Sequence, residues 1–245
     1  MLRYLAAPAM AALLLCAAPA QAQWGANNRA AKEGFTLPAM GPVKILVFRP
    51  DVQVGSQSTG GMNEPNAEWT ETARKEIARA LEAAQKARSN ELVVVPDLDG
   101  EQGKLLAEYR SLFKVVTGAV ITHKLFAGNR LPTKKESFNW TLGQGASKLA
   151  ALGGDYGLFI HTNDSYGSAG RKAAQLVGAM FGAYIPSGVH VGYAGLVDLK
   201  TGELVWVNAD IAMGGDVREP EGAGKRVEQL LRGFPTRGGT VTAVK

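Results

Sequence analysis

Histidine, aspartate and serine stand within five residues of one another at His161, Asp164 and Ser165, the densest group of chemistry-bearing side chains in the sequence. A base, an orienting acid and a hydroxyl nucleophile can transfer acyl groups when they meet at hydrogen-bond distance, and they usually come from separate elements. Three side chains on one strand end rarely point at one another in that way. A strand running into a polar turn accounts for them more economically. A small periplasmic hydrolase using His161, Asp164 or Ser165 is kept as a runner-up reading.

Two other spacings each invite a reading and lack a part of it. Asp97-Leu98-Asp99-Gly100 places carboxylates two apart, as a hard cation needs, but the remaining oxygen ligands of a calcium loop are missing. A turn capping the next helix explains it better. Gly143-Gln144-Gly145 resembles part of a phosphate loop, which would follow a strand and precede Lys and Ser/Thr at set spacing; here Ser147 precedes Lys148 and no strand comes before. His123, His161 and His190 are far apart, with no His-x-x-x-His pair and no cysteine beside them, so no zinc set forms. No catalytic, cofactor-binding or metal-ligating residue is therefore assigned, no cofactor is expected, and the chain is expected not to be an enzyme.

The elements that must position such residues are easier to read. Residues 188–212, GVHVGYAGLVDLKTGELVWVNADIA, form two long strands about one tight turn. Gly202 is free to take the positive φ that the turn requires, while Val189, Val191, Tyr193, Val197, Val205, Trp206 and Val207 suit a pleated surface. The runs 43–48, 92–95 and 155–162 read as short strands, and 52–65 as a long Gly/Ser/Asn-rich loop. Helical spacing is carried by Trp69, Ala73, Ile77, Ala80, Leu81 and Ala84, then by Leu105, Leu106, Tyr109, Leu112, Phe113, Val116 and Val120. A shorter helix is expected over about 140–152, and a last one over 220–234, with Val227, Leu230 and Leu231 on one face. The expected fold class is α/β: a single domain with a mixed β-sheet, a long antiparallel hairpin and helices packed on the sheet.

The first 22 residues stand apart. Arg3, an apolar run and Ala20-Gln21-Ala22 make a secretory signal peptide, and its run is too short for the ~20 residues of a membrane-spanning helix. Cys16 is the only cysteine, and the bulky Leu15 before it disfavours lipidation. The expected organisation is a signal peptide over 1–22, a flexible leader over 23–42, an α/β envelope domain over 43–235 and a mobile tail over 236–245. Of 245 residues, 46% are hydrophobic and 20% charged, ordinary for one globular core. The formal charge of +5 falls by one when Arg3 leaves, and the basic residues are scattered. No nucleic-acid partner is expected from such a pattern.

One segment breaks the amphipathic rule. Residues 168–184, SAGRKAAQLVGAMFGAY, begin with Arg171-Lys172 and then become small or apolar. Such a run can lie in a membrane interface, pack against another subunit, or be buried in this chain's own core. Tyr166, Leu176, Met180, Phe181 and Tyr184 are the candidate contact residues.

The buried strand at 43–48, the helix after a long loop, GGDYGLFIHT at 153–162, GLVDLKTGELVW at 195–206 and VEQLLRGFP at 227–235 together resemble a group of bacterial envelope proteins. That group is the one related to the curli secretion lipoprotein and the TolB N-terminal domain, and it includes the lipoprotein activators of peptidoglycan synthases. Within the hairpin the similarity rests on Asp198, Thr201, Gly202 and Trp206. The resemblance implies an α/β domain with a mixed sheet, no known chemistry and work done through protein contacts. The group's lipidated members anchor by an N-terminal cysteine, which this sequence lacks in a good context. The expectation is an exported, non-enzymatic accessory or assembly protein of the periplasm, peripherally associated with the outer membrane at most, whose partner is an envelope protein or a second copy. A membrane-associated pore or scaffold using 168–184 is the alternative.

Overall fold

A computed structural model describes residues 28–88, 91–134, 137–186 and 188–238. The expected signal peptide over 1–22, with Cys16, and residues 239–245 of the expected tail over 236–245 lie outside the described residues. The chain forms one α/β domain around a nine-stranded mixed sheet. Its spine runs in the order β1 (Arg29–Ala31), β9 (Glu203–Asp210), β8 (Gly188–Asp198), β7 (Tyr156–Gly167), β2 (Lys44–Val47) and β5 (Glu91–Val94), with β3 (Asp51–Gln57) and β4 (Asn63–Pro65) extending one end of β7 and β6 (Trp140–Thr141) added to β9.

The sheet is built around β7 (Tyr156–Gly167), whose Leu158, Phe159 and Ile160 are buried. The first half of β7 pairs in parallel with β2 (Lys44–Val47), and its second half pairs in parallel with β3 (Asp51–Gln57). Pro50 interrupts β2 and β3, because proline has no amide to give the ladder. On its other edge β7 pairs antiparallel with β8 (Gly188–Asp198), which turns into β9 (Glu203–Asp210). The long antiparallel hairpin is therefore present. Beyond β2 lies β5 (Glu91–Val94), also parallel.

Helices cover both faces, as a mixed sheet buried on two sides requires. α1 (Ala67–Arg88) and α5 (Pro220–Leu230) bury Ala73, Ile77, Leu81, Val227 and Leu230 against Leu158, Ile160, Leu196 and Trp206. α2 (Gly100–Val120) buries Leu106, Phe113 and Val120 against Phe48, Phe159, Val197 and Val207 on the opposite face. Phe113 stacks on Phe159 with centroids 5.0 Å apart. Each buried Val, Leu, Ile or Phe among them contributes about 1.5–3 kcal/mol by leaving water.

Three local expectations are corrected. The loop expected over 52–65 is instead the hairpin of β3 and β4 (Asn63–Pro65), closed where Ser58 accepts the Gly61 amide and donates its own to Met62. Val52 and Val54 are buried, and Gly55 lets the backbone of Glu64 approach where a Cβ would collide. The helix expected over 140–152 is a short strand β6 (Trp140–Thr141), a tight turn, and a single helical turn α3 (Ser147–Ala150). Gly143 at φ 84° breaks it, and β6 takes the free edge of β9. The stretch expected to be a flexible leader contributes β1 (Arg29–Ala31), paired antiparallel with β9, and buries Ala30, Ala31 and Leu37. An exposed sheet edge leaves unpaired amides, and a nearby segment satisfies them even without a strong strand pattern of its own.

Candidate functional site

Alternation along β7 decides the fate of the suspected trio. His161 points to the α2 face, where its Nδ1 bonds Asp51 Oδ2 at 2.9 Å and its ring lies 4.8 Å from that of Tyr193. Asp51 also accepts from Lys114 Nζ at 3.3 Å. The His161 hydrogen bond, aided by the charge of Lys114, holds the Asp51 carboxyl down at about 2 against the opposing effect of burial.

Asp164 points to the other face, where it is fully buried with Arg226. Arg226 grips it with two nitrogens, Nη1 to Oδ2 at 2.6 Å and Nη2 to Oδ1 at 2.8 Å. His190 Nδ1 bonds Oδ1 at 2.8 Å and Thr162 Oγ1 donates to Oδ2 at 3.0 Å. Burial raises the Asp164 pKa, but the bonds from His190 and Arg226 outweigh it and the carboxyl titrates below its ordinary range. Ser165 Oγ accepts the amide of Val189. The base, acid and hydroxyl therefore face different partners, and no triad assembles.

The other tempting spacings also resolve into structure. Asp97 pairs with Arg49, and Asp99 stands at the start of α2 without a side-chain cap bond. Gly143-Gln144-Gly145 packs on the hairpin turn, where Leu142 donates its amide to Gly202. Among the described residues no three His, Cys, Asp or Glu side chains cluster as a metal would require. The turn residues organise the hairpin: Asp198 Oδ1 accepts the amides of Lys200 and Thr201 at 2.8 and 3.1 Å, and Gly202 takes φ 75°. Trp206 is fully buried, edge-on to Phe234 at 5.3 Å.

What the fold leaves outside its core is the excursion between β7 and β8. α4 (Ala169–Met180) starts at Ser168, whose hydroxyl accepts the Arg171 amide. It ends at Met180, where the Gly178 carbonyl accepts the amides of Phe181 and Ala183, and Gly182 at φ 73° lets the chain reverse. The returning segment is tied down along the helix. Arg171 Nε donates to the Pro186 carbonyl and Gln175 Nε2 to that of Ile185, each at 2.8 Å. The result is a braced finger whose tip is apolar and open to solvent: Leu176 is 70% exposed, Val177 54%, Met180 77%, Phe181 83% and Tyr184 85%. A core helix is the one reading of this run that the structure overturns. Apolar composition buries a helix only where the chain supplies a second surface, and here it does not.

Tyr166 stands apart from the other contact candidates. Its hydroxyl accepts the Val217 amide at 3.0 Å, and its ring packs against His190 and beneath the Arg218 guanidinium. It belongs to the root of the finger, as do Asp164 and His190, which face each other in the β7–β8 register. Sequence reading missed Asp51, Arg226 and the pairing of His190. The available signal was Arg226 itself, a charge on the apolar face of α5 between Ala223, Val227 and Leu230.

No helix of the described residues is long and apolar enough to cross a membrane. No known family model matches the chain, and no curated protein matches it. Among solved structures, the PelC dodecamer from Paraburkholderia phytofirmans is similar at 12% identity over 83% of this chain and 94% of that one, with a TM-score of 0.33. The LpoB C-terminal domain from Salmonella enterica is similar at 14% identity over 74% and 87%, with a TM-score of 0.26. Lipoprotein GNA1162 from Neisseria meningitidis is similar at 16% identity over 78% and 95%, with a TM-score of 0.30. Likenesses this distant carry no argument about what the chain does.

Proposed function

We propose that this chain is an exported, non-enzymatic accessory protein of the bacterial envelope that acts through protein–protein contacts, with the finger at 168–184 as its contact surface and a second copy of the chain as its first partner. The observation that carries this reading is the exposed apolar tip formed by Leu176, Val177, Met180, Phe181 and Tyr184. Five large side chains leave several hundred Å2 of apolar surface in water, the range in which patches on monomers are functional. Face to face with the same patch on another copy, these side chains supply several hundred Å2 on each partner, a large share of the ~800 Å2 per partner of a stable interface.

Charge favours a protein over a lipid surface. From 169 to 186 the only charged residues are Arg171, which is buried, and Lys172. One exposed lysine adds only about 1 kcal/mol of attraction to anionic lipid, too little to hold a peripheral protein alone. The hydrolase reading has no geometric support, because His161 and Asp164 lie on opposite faces of the sheet. The test is a photo-crosslinking amino acid at position 181 in the full chain, expressed in cells from its own signal. The expected product is a crosslink to a second copy. Crosslinks only to another envelope protein would keep the contact function and replace the partner; crosslinks only to lipid, or none at all, would overturn it.

A further inference from the structure

The parallel part of the sheet carries a crevice unrelated to the finger. β2 and β5 are neighbours, yet the chain leaving β2 reaches α1 on one face, by way of the β3–β4 hairpin, while the chain leaving β5 enters α2 on the other. Where adjacent parallel strands send their connections to opposite faces, a crevice opens beyond their carboxyl ends, and ligands of open α/β sheets bind there. In this protein that crevice is a polar cleft of about 400 Å3. It continues into an apolar slot of about 280 Å3 between α1 and the sheet edge, lined by Val47, Phe48, Val52, Ala78, Leu81 and Val95.

Three arginines from three elements line the cleft: Arg49 after β2, Arg74 on α1 and Arg110 on α2. Three carboxylates line it or its rim as well. Asp97 is taken by Arg49, and Asp51 by His161 and Lys114, while Asp99 is exposed at the start of α2. Among the described residues, Arg74 pairs only with the solvent-exposed Glu71, at 3.6 Å. Arg110 is half-buried, and its Nε is buried without a hydrogen-bond partner. Burial, reinforced by the charges of Arg49 and Arg74 and opposed by those of Asp51 and Asp97, lowers its pKa from the ordinary arginine value. A guanidinium in this position is a fork suited to a planar or tetrahedral oxyanion. α2 also begins at Gly100 on the same rim, adding the positive end of a 21-residue helix.

We propose that this crevice binds a small amphipathic anion, its carboxylate or phosphate held by Arg74 and Arg110 and its apolar end lodged in the slot beside α1. The slot argues for the apolar end, since it adjoins the arginines and shares Arg49, Pro50, Arg74 and Asp97 with the polar cleft.

Isothermal titration of the full mature protein with hexyl phosphate, hexanoate and inorganic phosphate tests the proposal. Saturable one-site binding is expected for at least one of the two hexyl anions, tighter than for inorganic phosphate, and comparing the two assigns the headgroup. Arg74→Gln and Arg110→Gln should each weaken it by about tenfold or more, the scale of a hydrogen bond to a charged group. Arg79→Gln, on the exposed face of α1 where it pairs with Glu76, should change nothing. Ala78→Phe, which fills the slot from an exposed position, should weaken hexyl anions and spare inorganic phosphate. Melting curves of each variant separate lost binding from lost fold. Absence of saturable heat at millimolar concentration, affinity indifferent to both cleft arginines, or equal loss in Arg79→Gln would each overturn the site.

Discussion

Replacing Asp164 by Asn leaves the shape of the core unchanged and removes its buried negative charge. Arg226 then keeps a full positive charge at a fully buried position, with no anion among the partners that face it. Breaking one side of a buried ion pair destabilises by about 3–5 kcal/mol, because the surviving charge remains out of water. His190 loses an acceptor as well, but at 25% side-chain exposure it can turn to solvent and adds little. For a chain of this size the loss corresponds to a drop of about 6–20 °C in melting temperature. The assay is urea unfolding at neutral pH followed by tryptophan fluorescence, with the midpoint falling and the slope unchanged. A second variant isolates the cause. Asp164→Leu with Arg226→Met removes both charges and should recover most of the loss, since apolar replacements of buried pairs are often neutral or stabilising. A single Asn variant within about 0.5 kcal/mol of the parent, or a double variant as damaged as the single, would refute the reasoning. The pair lies at the root of the finger, so the Asn variant should also loosen the β7–β8 strand ends that hold it.

Acid should act on the same structure in a defined window. Asp51 has its folded pKa depressed to about 2 from 3.8, so its contribution is fully present above the unfolded value and is lost as pH falls from about 4 to about 2. The shift is worth about 2 kcal/mol. In Asp51→Asn, unfolding free energy measured against pH should show a shallower acid limb than the parent across that interval, and identical limbs would contradict the assignment. At the hairpin turn, Gly202→Ala forces a side chain onto φ 75° and into the Gly143 carbonyl. A loss of about 1–3 kcal/mol is expected by chemical denaturation, and a neutral result would mean that the turn relaxes freely.

The parts of the fold legible in the sequence are those whose signals are local. Ala73, Ile77 and Leu81 announce α1, Phe113 and Val120 announce α2, and Asp198 to Gly202 announce the turn between β8 and β9. What escaped depends on partners distant in the chain. β3 and β4 have turn-like composition and become strands because β7 offers an edge to β3 and β3 then offers one to β4; β1 exists because β9 does. The helix expected over 140–152 shrank to one turn because Gly143 and the turn of another hairpin determine its start. The chemical candidates failed for a related reason. His161 and Asp164 are three apart on a strand, so the pleat sends them to opposite faces, where Asp51 and Arg226 await them from 110 and 62 residues away. The composition of 168–184 was plain, but its exposure was not, since whether an apolar helix is covered depends on what the rest of the chain leaves vacant. The arginine crevice was invisible for the same reason, each member lying on a different element.

The central claim is that the finger joins this chain to a second copy, and mass in solution tests it most directly. Light scattering on the protein should give a multiple of the monomer mass at micromolar concentration. Met180→Asp with Phe181→Asp, at two exposed positions, should return it to the monomer with its melting temperature unchanged. A wild-type protein that is monomeric at all concentrations, or an assembly that survives both charges, would contradict the account.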